Sequence, residues 1–193
     1  MRYKIHLSQI PDISDITLEQ RYLPNFESSD DGFILTSNEI CTENVFLLLE
    51  DNSLYWMISD QYLQNPPLFG RPFIHKTFDC YTFARDYLLQ EFGIILPSVA
   101  YEDDWWNTGQ NLYLDAAKDA GFILLPAGSK VRVGDLFALR MRSPVINHIG
   151  IYVGDKKIAH HNGGEVSKIE TLRPAHWRFC EGIYRHESLL CDS

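Results

Sequence analysis

The stretch TFDCYTFARDYLLQEFGI, residues 77–94, places a cysteine directly after an acid at the start of a helical pattern. A thiol becomes a strong nucleophile as its thiolate, and a helix N-terminus or a neighbouring imidazolium can lower its pKa. Cys80 is therefore a candidate nucleophile. The simpler interpretation is a small apolar residue packed at a helix end, which is more common for a single cysteine.

Two histidines downstream have the spacing of partners for such a thiol. His148 begins the β-rich stretch NHIGIYVG, and His160 follows at the end of KKIAHHN. With Gly154 and Asp155 as a hairpin turn, both rings would lie close together on adjacent strands. A cysteine nucleophile needs a histidine base and a third polar group to orient it, so the pattern favours a Cys-His-His triad. Each histidine alone could be structural, and His160 with His161 could be an exposed turn pair or an adventitious metal site.

An amphipathic helix over residues 79–92 is predicted to position the cysteine. Its apolar residues Phe83, Tyr87 and Leu88 follow a period of about 3.6 residues, and Gly93 is a natural end. Asp79 has the position and chemistry of an N-cap, whose side chain accepts hydrogen bonds from the first-turn amides.

The histidines are predicted to lie on an antiparallel sheet. A second helix over NLYLDAAKDAGF, with Leu112, Leu114 and Ala117 near one face, ends at Gly121. Short β-rich runs separated by turn residues follow it: VGDLFALRM, HIGIYVG, KKIAHHN and EGIYRH. Helices followed by such a sheet predict an α+β fold.

A domain boundary is predicted in the proline-rich stretch NPPLFGRPF, residues 65–73, which cannot form a helix interior. Before it, RYLPNF, the polar loop ESSDDG, FILTSNE and VFLLLED suggest a few strands and turns. The division is therefore a small, β-rich segment over 1–65 and a main domain over 66–193.

Composition excludes several classes of protein. The 193 residues suffice for one main core, and 45% hydrophobic residues predict a globular chain. A formal net charge of -9 argues against nucleic acid as a partner. No apolar run is long enough for a membrane span, and the N-terminus lacks the apolar core of a secretory signal, which indicates synthesis in the cytoplasm. The cysteines lack the CxxC spacing of a metal site, and three of them are interpreted as structural: Cys41, Cys180 and Cys191.

The segments DCYTFARDYLLQEFGIILP, VRVGDLFAL and NHIGIYVGDKKIAHH together resemble the NlpC-type family of papain-like cell-wall cysteine peptidases. The resemblance covers about residues 66–186. It implies a papain-like α+β fold with Cys80 as nucleophile, His148 as base and His160 as the group that orients the imidazole. It also places Asp79 and Tyr81 at substrate-binding positions, with Asp79 either contacting a substrate amine or serving only as the N-cap.

The sequence departs from this family at two places. Many members read Asp-Cys-Ser-Gly, where this chain has Tyr81 and Thr82 after the cysteine. The upstream tyrosine that cellular members use as an oxyanion donor is replaced here by residues near Leu68 and Phe69, so the backbone amide of Cys80 is the expected donor. The aromatic stretch DDWWNTGQN could line a substrate groove or belong to the core or an interface.

The likeness is strongest to the peptidase domain of the tail-tip assembly proteins of lambda-like siphophages. It implies a substrate in peptidoglycan stem peptides, with the bond between D-glutamate and diaminopimelate as the expected target. It implies other tail-tip proteins as partners, and a location in the host cytoplasm during assembly and then at the virion tail tip. No cofactor is expected. Residues 1–65 resemble a reduced JAB-type domain without its metal motif.

Two other functions remain open from the residues. A non-catalytic assembly factor or plug of the tail tip could retain the peptidase fold for binding. An amidase or acyl-transfer reaction could use the same core. Three further histidines, His75, His176 and His186, are interpreted as structural because none has the position that a triad needs.

Overall fold

The computed structural model describes residues 2–5, 17–19, 33–36, 45–50, 53–58, 60–102 and 104–190. The chain divides into two compact units. We call residues 1–74 with 163–166 the N-terminal unit, and residues 75–162 with 167–193 the C-terminal unit.

The N-terminal unit contains one antiparallel sheet and a short helix. The elements are β1 (Arg2–Ile5), β2 (Thr17–Glu19), β3 (Phe33–Thr36), β4 (Val45–Glu50), β5 (Ser53–Ile58) and α1 (Asp60–Gln64). The strand order is β1-β5-β4-β3-β2. Strands β3 and β4 confirm the strands predicted at FILTSNE and VFLLLED, whereas RYLPNF and ESSDDG lie outside the described residues. The JAB-type remnant over residues 1–65 stays a prediction.

Two helices begin the C-terminal unit. Helix α2 spans Cys80–Phe92, with Asp79 as N-cap and Gly93 as a left-handed C-cap, as predicted. Its residues Phe83, Tyr87 and Leu88 are buried, which confirms the predicted apolar face. Helix α3 spans Leu112–Asp119 and buries Tyr113, Ala116 and Ala117. Leu112 and Leu114, which were predicted on that face, are only half-buried.

The sheet of the C-terminal unit has the predicted antiparallel arrangement. Its strands are β6 (Phe122–Leu124), β7 (Leu136–Leu139), β8 (His148–Gly154), β9 (Lys157–His160), β10 (Lys168–Thr171) and β11 (Cys180–His186), and the helix α4 (Pro174–Phe179) lies between β10 and β11 in the sequence. The strand order is β10-β9-β8-β7-β11-β6. Helix α2 packs against the central strand β8 and its neighbour β9. This packing brings the start of α2 to the strands that carry the histidines.

The β8–β9 hairpin turns one residue later than predicted. Asp155 and Lys156 form the turn, and both have positive φ angles, 49° and 56°. Two successive left-handed residues are typical of the type I′ turn, whose twist matches that of paired strands. Gly154 instead ends β8 at a register irregularity, where its φ of 91° is readily adopted by glycine.

Gly150 of β8 has no room for a side chain against β9. A Cβ there would lie 2.3 Å from Cδ1 of Ile158 and 3.6 Å from Cβ of His160. We expect Gly150→Ala to lower the free energy of unfolding by about 1–3 kcal/mol through overpacking, measured by urea denaturation. Because Ile158→Val removes the nearest atom, the double variant should lose less than the sum of the single variants. Additive losses would contradict this origin of the strain.

Candidate active site

The thiol of Cys80 lies at the first residue of α2, where Asp79 organises the backbone. The Asp79 carboxylate accepts hydrogen bonds from the amides of Tyr81 and Thr82, at 3.1 and 3.0 Å. The amide of Asp79 in turn donates to Thr82 Oγ1 at 2.8 Å, completing a capping box. The Cys80 amide is not among those that the Asp79 side chain binds, and its role as oxyanion donor stays a prediction.

The two predicted substrate-binding residues are both buried. Asp79 is 1% exposed, and besides the capping amides it accepts from the Lys76 amide and the Tyr101 hydroxyl. Tyr81 is 2% exposed, and its hydroxyl donates to the Pro97 carbonyl at 2.8 Å. These contacts favour the capping role of Asp79 and a core role of Tyr81. Substrate contact by either residue stays a prediction.

The Cys80 thiol is enclosed by polar groups of α3 and of the loop before β8. Its Sγ lies 3.7 Å from the Tyr113 hydroxyl and 3.9 Å from the carbonyl oxygen of Asn147, the residue before His148. The cysteine is 5% exposed. Burial, followed by the nearby Asp79 carboxylate, raises the pKa of the thiol to about 12. The resting thiol is therefore protonated.

His148 and His160 form a buried pair across the β8–β9 hairpin. Gly150 of β8 lies opposite His160 of β9, so the rings of His148 and His160 meet along the diagonal on one face. Nε2 of His148 lies 3.0 Å from Nδ1 of His160. Burial, followed by the neighbouring histidines, holds the pKa of His148 well below its usual value, so this imidazole is neutral.

Glu170 and His176 extend the pair toward the next strand and α4. Oε1 of Glu170 lies 3.1 Å from Nε2 of His160 and 3.0 Å from Nε2 of His176. The second oxygen of Glu170 contacts the Arg173 guanidinium. Lys168 of β10 pairs with His160, so Glu170 two residues later returns to the same side of the sheet.

Sequence reasoning missed three residues that meet this site: Tyr101, Tyr113 and Glu170. Tyr113 lies on α3, and no sequence pattern relates it to a cysteine 33 residues earlier. Glu170 could have been found from the register of three strands, since it lies two positions after the partner of His160. His176, interpreted as structural, lies beside Glu170.

Three groups are close enough to be considered for a metal ion. The ligand atoms of His160, Glu170 and His176 lie within 4.8 Å of one another. However, Nδ1 of His176 accepts a hydrogen bond from the Arg173 amide at 2.9 Å. The proton of a neutral His176 must then sit on Nε2, which leaves no lone pair there for a cation.

Two cavities adjoin the site from different sides. A groove of about 450 Å³ is lined by Lys76, Val99, Ala100, Tyr101, Glu102, Trp105, Thr108, Gln110 and Leu112. It includes the predicted aromatic stretch, although Trp105 itself is buried. A second cavity of about 180 Å³ lies beside His148, His160, Glu170 and His176.

Two further predictions concern the other cysteines and the absence of a membrane-spanning segment. Cys180 is a half-buried free thiol, and Cys41 and Cys191 lie outside the described residues. Among the described helices, none has both the length and the apolar character to cross a membrane.

Alkylation of Cys80 by iodoacetamide is expected to be slow near neutral pH and still rising at pH 10. The thiolate is the reacting form, and its fraction grows tenfold per pH unit up to a pKa near 12. The rate is measured by mass spectrometry of the Cys80 peptide, with Cys180 followed in the same digest and urea-unfolded protein as the reference. A rate that is already constant above pH 6 would show an activated thiolate instead.

Comparison with known proteins identifies the family. The sequence profile described as the NlpC/P60 family matches residues 69–180. This chain belongs to the NlpC/P60 family. The α+β, papain-like fold expected from the sequence is thereby confirmed, and the observed helices and antiparallel sheet agree with it.

Curated relatives of this NlpC/P60 chain come from bacteriophages. It is 40% identical over 124 residues to tail tip assembly protein K of Escherichia phage lambda, covering 64% of this chain and 61% of that protein. It is 30% identical over 104 residues to tail tip assembly protein K of Escherichia phage N15, covering 53% of this chain and 42% of that one. The chain thus matches less than two thirds of either relative's length.

A solved structure of an NlpC/P60 family protein from Bacillus cereus is also similar. The TM-score is 0.40 at 16% identity, over 80% of this chain and 53% of the Bacillus chain.

Proposed function

We propose that this chain is a cysteine peptidase that cuts peptidoglycan stem peptides at a phage tail tip. The observation that carries the proposal is a thiol at the start of α2 that lies 3.9 Å from the carbonyl oxygen of Asn147, the residue before His148. Nε2 of His148 in turn lies 3.0 Å from Nδ1 of His160. Family membership supports a peptidase, and the printed names of the phage relatives support the tail tip.

The proposed reaction is acyl transfer through a covalent intermediate. Cys80 Sγ attacks the amide carbon while its proton passes to His148, and His148 then returns that proton to the departing amine. Water hydrolyses the thioester and releases the acid. His160 orients the His148 ring. The Cys80 amide and the Tyr113 hydroxyl, which lies 3.7 Å from the sulfur, are the proposed donors to the oxyanion.

In the resting protein the Cys80 thiol and the His148 imidazole are both neutral. Both charged forms are disfavoured by burial, so the proton moves to His148 as the sulfur bonds to carbon. The pair differs in this respect from a preformed thiolate and imidazolium.

Activity is expected to persist at mildly acidic pH. The base must be unprotonated, and His148 has a pKa well below 6.5, so protonation of this ring lowers kcat/KM only at a pH below that value. The measurement is kcat/KM for a defined stem peptide between pH 4.5 and 8. A fall already centred at pH 6.5 or higher would contradict a buried neutral base.

The substrate is proposed to lie in the groove beside Tyr101 and Trp105. Tyr101 contacts Asp79 next to the nucleophile, so the groove leads toward the thiol. Lys76 and Glu102 line the same groove, with Nζ and Oε2 3.9 Å apart, and are proposed to bind the two charges of a zwitterionic peptide. By family resemblance, the proposed target is the bond between D-glutamate and diaminopimelate.

The location and the domain division are proposed together. The chain would be made in the host cytoplasm and carried into the virion by contacts with other tail-tip proteins. Residues 66–193 would form the peptidase domain, and residues 1–65 a docking segment. Attachment to the tail would supply the local concentration at the cell wall that an acidic protein cannot gain by electrostatic attraction.

The decisive test is digestion of defined stem peptides and whole sacculi by the purified chain and by Cys80→Ala, with products read by mass spectrometry. Cleavage that disappears in the variant supports the peptidase and names the bond. The matched control is Cys180→Ala, which removes a thiol that hydrogen-bonds only Gly182 in the described part of the chain.

A second function is favoured by the burial of the nucleophile. A thiol 5% exposed with a pKa near 12 fits a tail-tip assembly role in which the fold is retained for binding. No cleavage by folded protein whose Cys80 reacts with a small alkylating agent would favour this role. Reconstitution of tails with the wild type and Cys80→Ala would then test it, since both should assemble equally.

A further inference from the structure

The structure assigns to Glu170 a positioning role, in which its carboxylate fixes the proton positions of His160 and His148 so that Nδ1 is the basic nitrogen of His148. The inference rests on the proposed peptidase function and deepens it, because it names the atom that accepts the thiol proton and the group that makes it basic.

The argument starts at His176, where the proton position is determined by the backbone. Nδ1 of His176 accepts from the Arg173 amide at 2.9 Å, so this ring is neutral and carries its proton on Nε2. That nitrogen lies 3.0 Å from Oε1 of Glu170. The N–H of His176 therefore lies against the Glu170 carboxylate, and the contact acts through charge because Oε1 accepts no aligned hydrogen bond.

The next step concerns His160, which meets the same carboxylate oxygen. Its Nε2 is 3.1 Å from Oε1 of Glu170 and fully enclosed. Nε2 of His160 makes no aligned hydrogen bond with Oε1, so the contact acts through charge. A lone pair on Nε2 facing a carboxylate would be repelled, whereas an N–H is attracted. The proton of His160 therefore belongs on Nε2, and Nδ1 carries the lone pair.

The last step fixes His148. Its Nε2 lies 3.0 Å from Nδ1 of His160, so His148 must donate an N–H from Nε2 to that lone pair. A neutral His148 then has its own lone pair on Nδ1. If the protons of His148 and His160 each moved to the other ring nitrogen, a lone pair on Nε2 of His160 would face the Glu170 carboxylate. Burial increases the free-energy cost of that repulsion.

The same geometry disfavours a cation bound by these three residues. A metal ion would need lone pairs on Nε2 of both His160 and His176. His176 has no lone pair on Nε2 because its Nδ1 accepts from the Arg173 amide. A proton moved to Nδ1 of His160 would force the His148 proton onto Nδ1, so that Nδ1 of His148 could no longer act as the base. The Arg173 guanidinium on Oε2 of Glu170 also supplies a positive charge already.

The test is a two-bond 1H–15N correlation spectrum of the full chain labelled with 15N-histidine, which separates the two neutral forms of each ring. His148 is expected with its proton on Nε2, and its signals are assigned by their loss in His148→Gln. The measurement needs no substrate, so it decides the inference even if no cleavage is found. A wild-type His148 with its proton on Nδ1 would overturn it.

Variants of Glu170 add a second readout. In Glu170→Ala, His148 should populate both forms, and kcat should fall about tenfold to a hundredfold with KM little changed. Glu170→Gln keeps an acceptor oxygen and should largely retain both the Nε2 proton position of His148 and the wild-type kcat. The matched control is Glu181→Ala, which breaks an exposed ion pair with Arg140 at 2.7 Å and should change neither. An unchanged His148 spectrum in folded Glu170→Ala would overturn the inference, as would Zn²⁺ displacing the Nε2 protons of His160 and His176.

Discussion

Replacing His148 by glutamine is expected to lower kcat for stem-peptide cleavage by about a thousandfold or more while leaving KM nearly unchanged. General base catalysis by a positioned histidine contributes about 10²–10⁴-fold, and in the proposed mechanism Cys80 has no other route to its nucleophilic form because its pKa is near 12. Glutamine fills a similar volume in the buried pair but cannot accept and return the proton.

The control for this variant is His186→Asn on β11, whose ring contacts Phe122 and Ser188. It removes a histidine without reaching the hairpin and should retain full activity. Circular dichroism and thermal unfolding establish that both variants are folded. A folded His148→Gln with more than a tenth of wild-type activity would exclude this histidine as the base.

Removing the carboxylate of Asp135 is expected to destabilise the C-terminal unit by about 3–5 kcal/mol. Asp135 is 0% exposed and binds Arg185 of β11 through both oxygens, at 2.7 and 2.8 Å. It also accepts from the Arg132 amide at 2.7 Å. Asp135→Ala leaves a buried guanidinium without its counter-charge, and that uncompensated charge accounts for most of the loss.

The measurement is urea denaturation of wild type, Asp135→Ala, Arg185→Met and the double variant. The double variant contains neither buried charge, so it should be more stable than the sum of the single losses predicts. Arg140→Met, which breaks the exposed pair with Glu181, is the matched control and should cost about 1 kcal/mol or less. Equal losses of unfolding free energy at the buried and exposed ion pairs would contradict a dominant cost from the uncompensated buried charge.

The sequence predicts the fold best where a local pattern decides it. The α2 helix follows from the spacing of Phe83, Tyr87 and Leu88 between a capping acid and Gly93, all within one short segment. The strands of the hairpin follow from their β-rich composition. The turn was placed one residue too early, because a glycine is the usual sign of a turn and here Asp155 and Lys156 adopt the left-handed conformation instead.

The candidate site was predictable only as far as its residues fall in recognisable segments. Cys80, His148 and His160 lie in such segments, and the structure brings the two histidines into contact. Glu170 and Tyr113 meet the same site through the pairing of β9 with β10 and the packing of α3, which depend on contacts across the whole unit. No short motif encodes those contacts. The interpretation of Asp79 as a cap was available from sequence, but its additional bond from Tyr101 was not.

The burial of the Cys80 thiol protects it against oxidation. Peroxide oxidises cysteine through the thiolate, and a buried thiol with a pKa near 12 has almost none of that form at neutral pH. Sulfenic acid formation and disulfide exchange are therefore suppressed at this residue. On the proposed passage from the host cytoplasm to the virion, Cys80 would stay reduced in an oxidising medium for as long as its thiol stays buried.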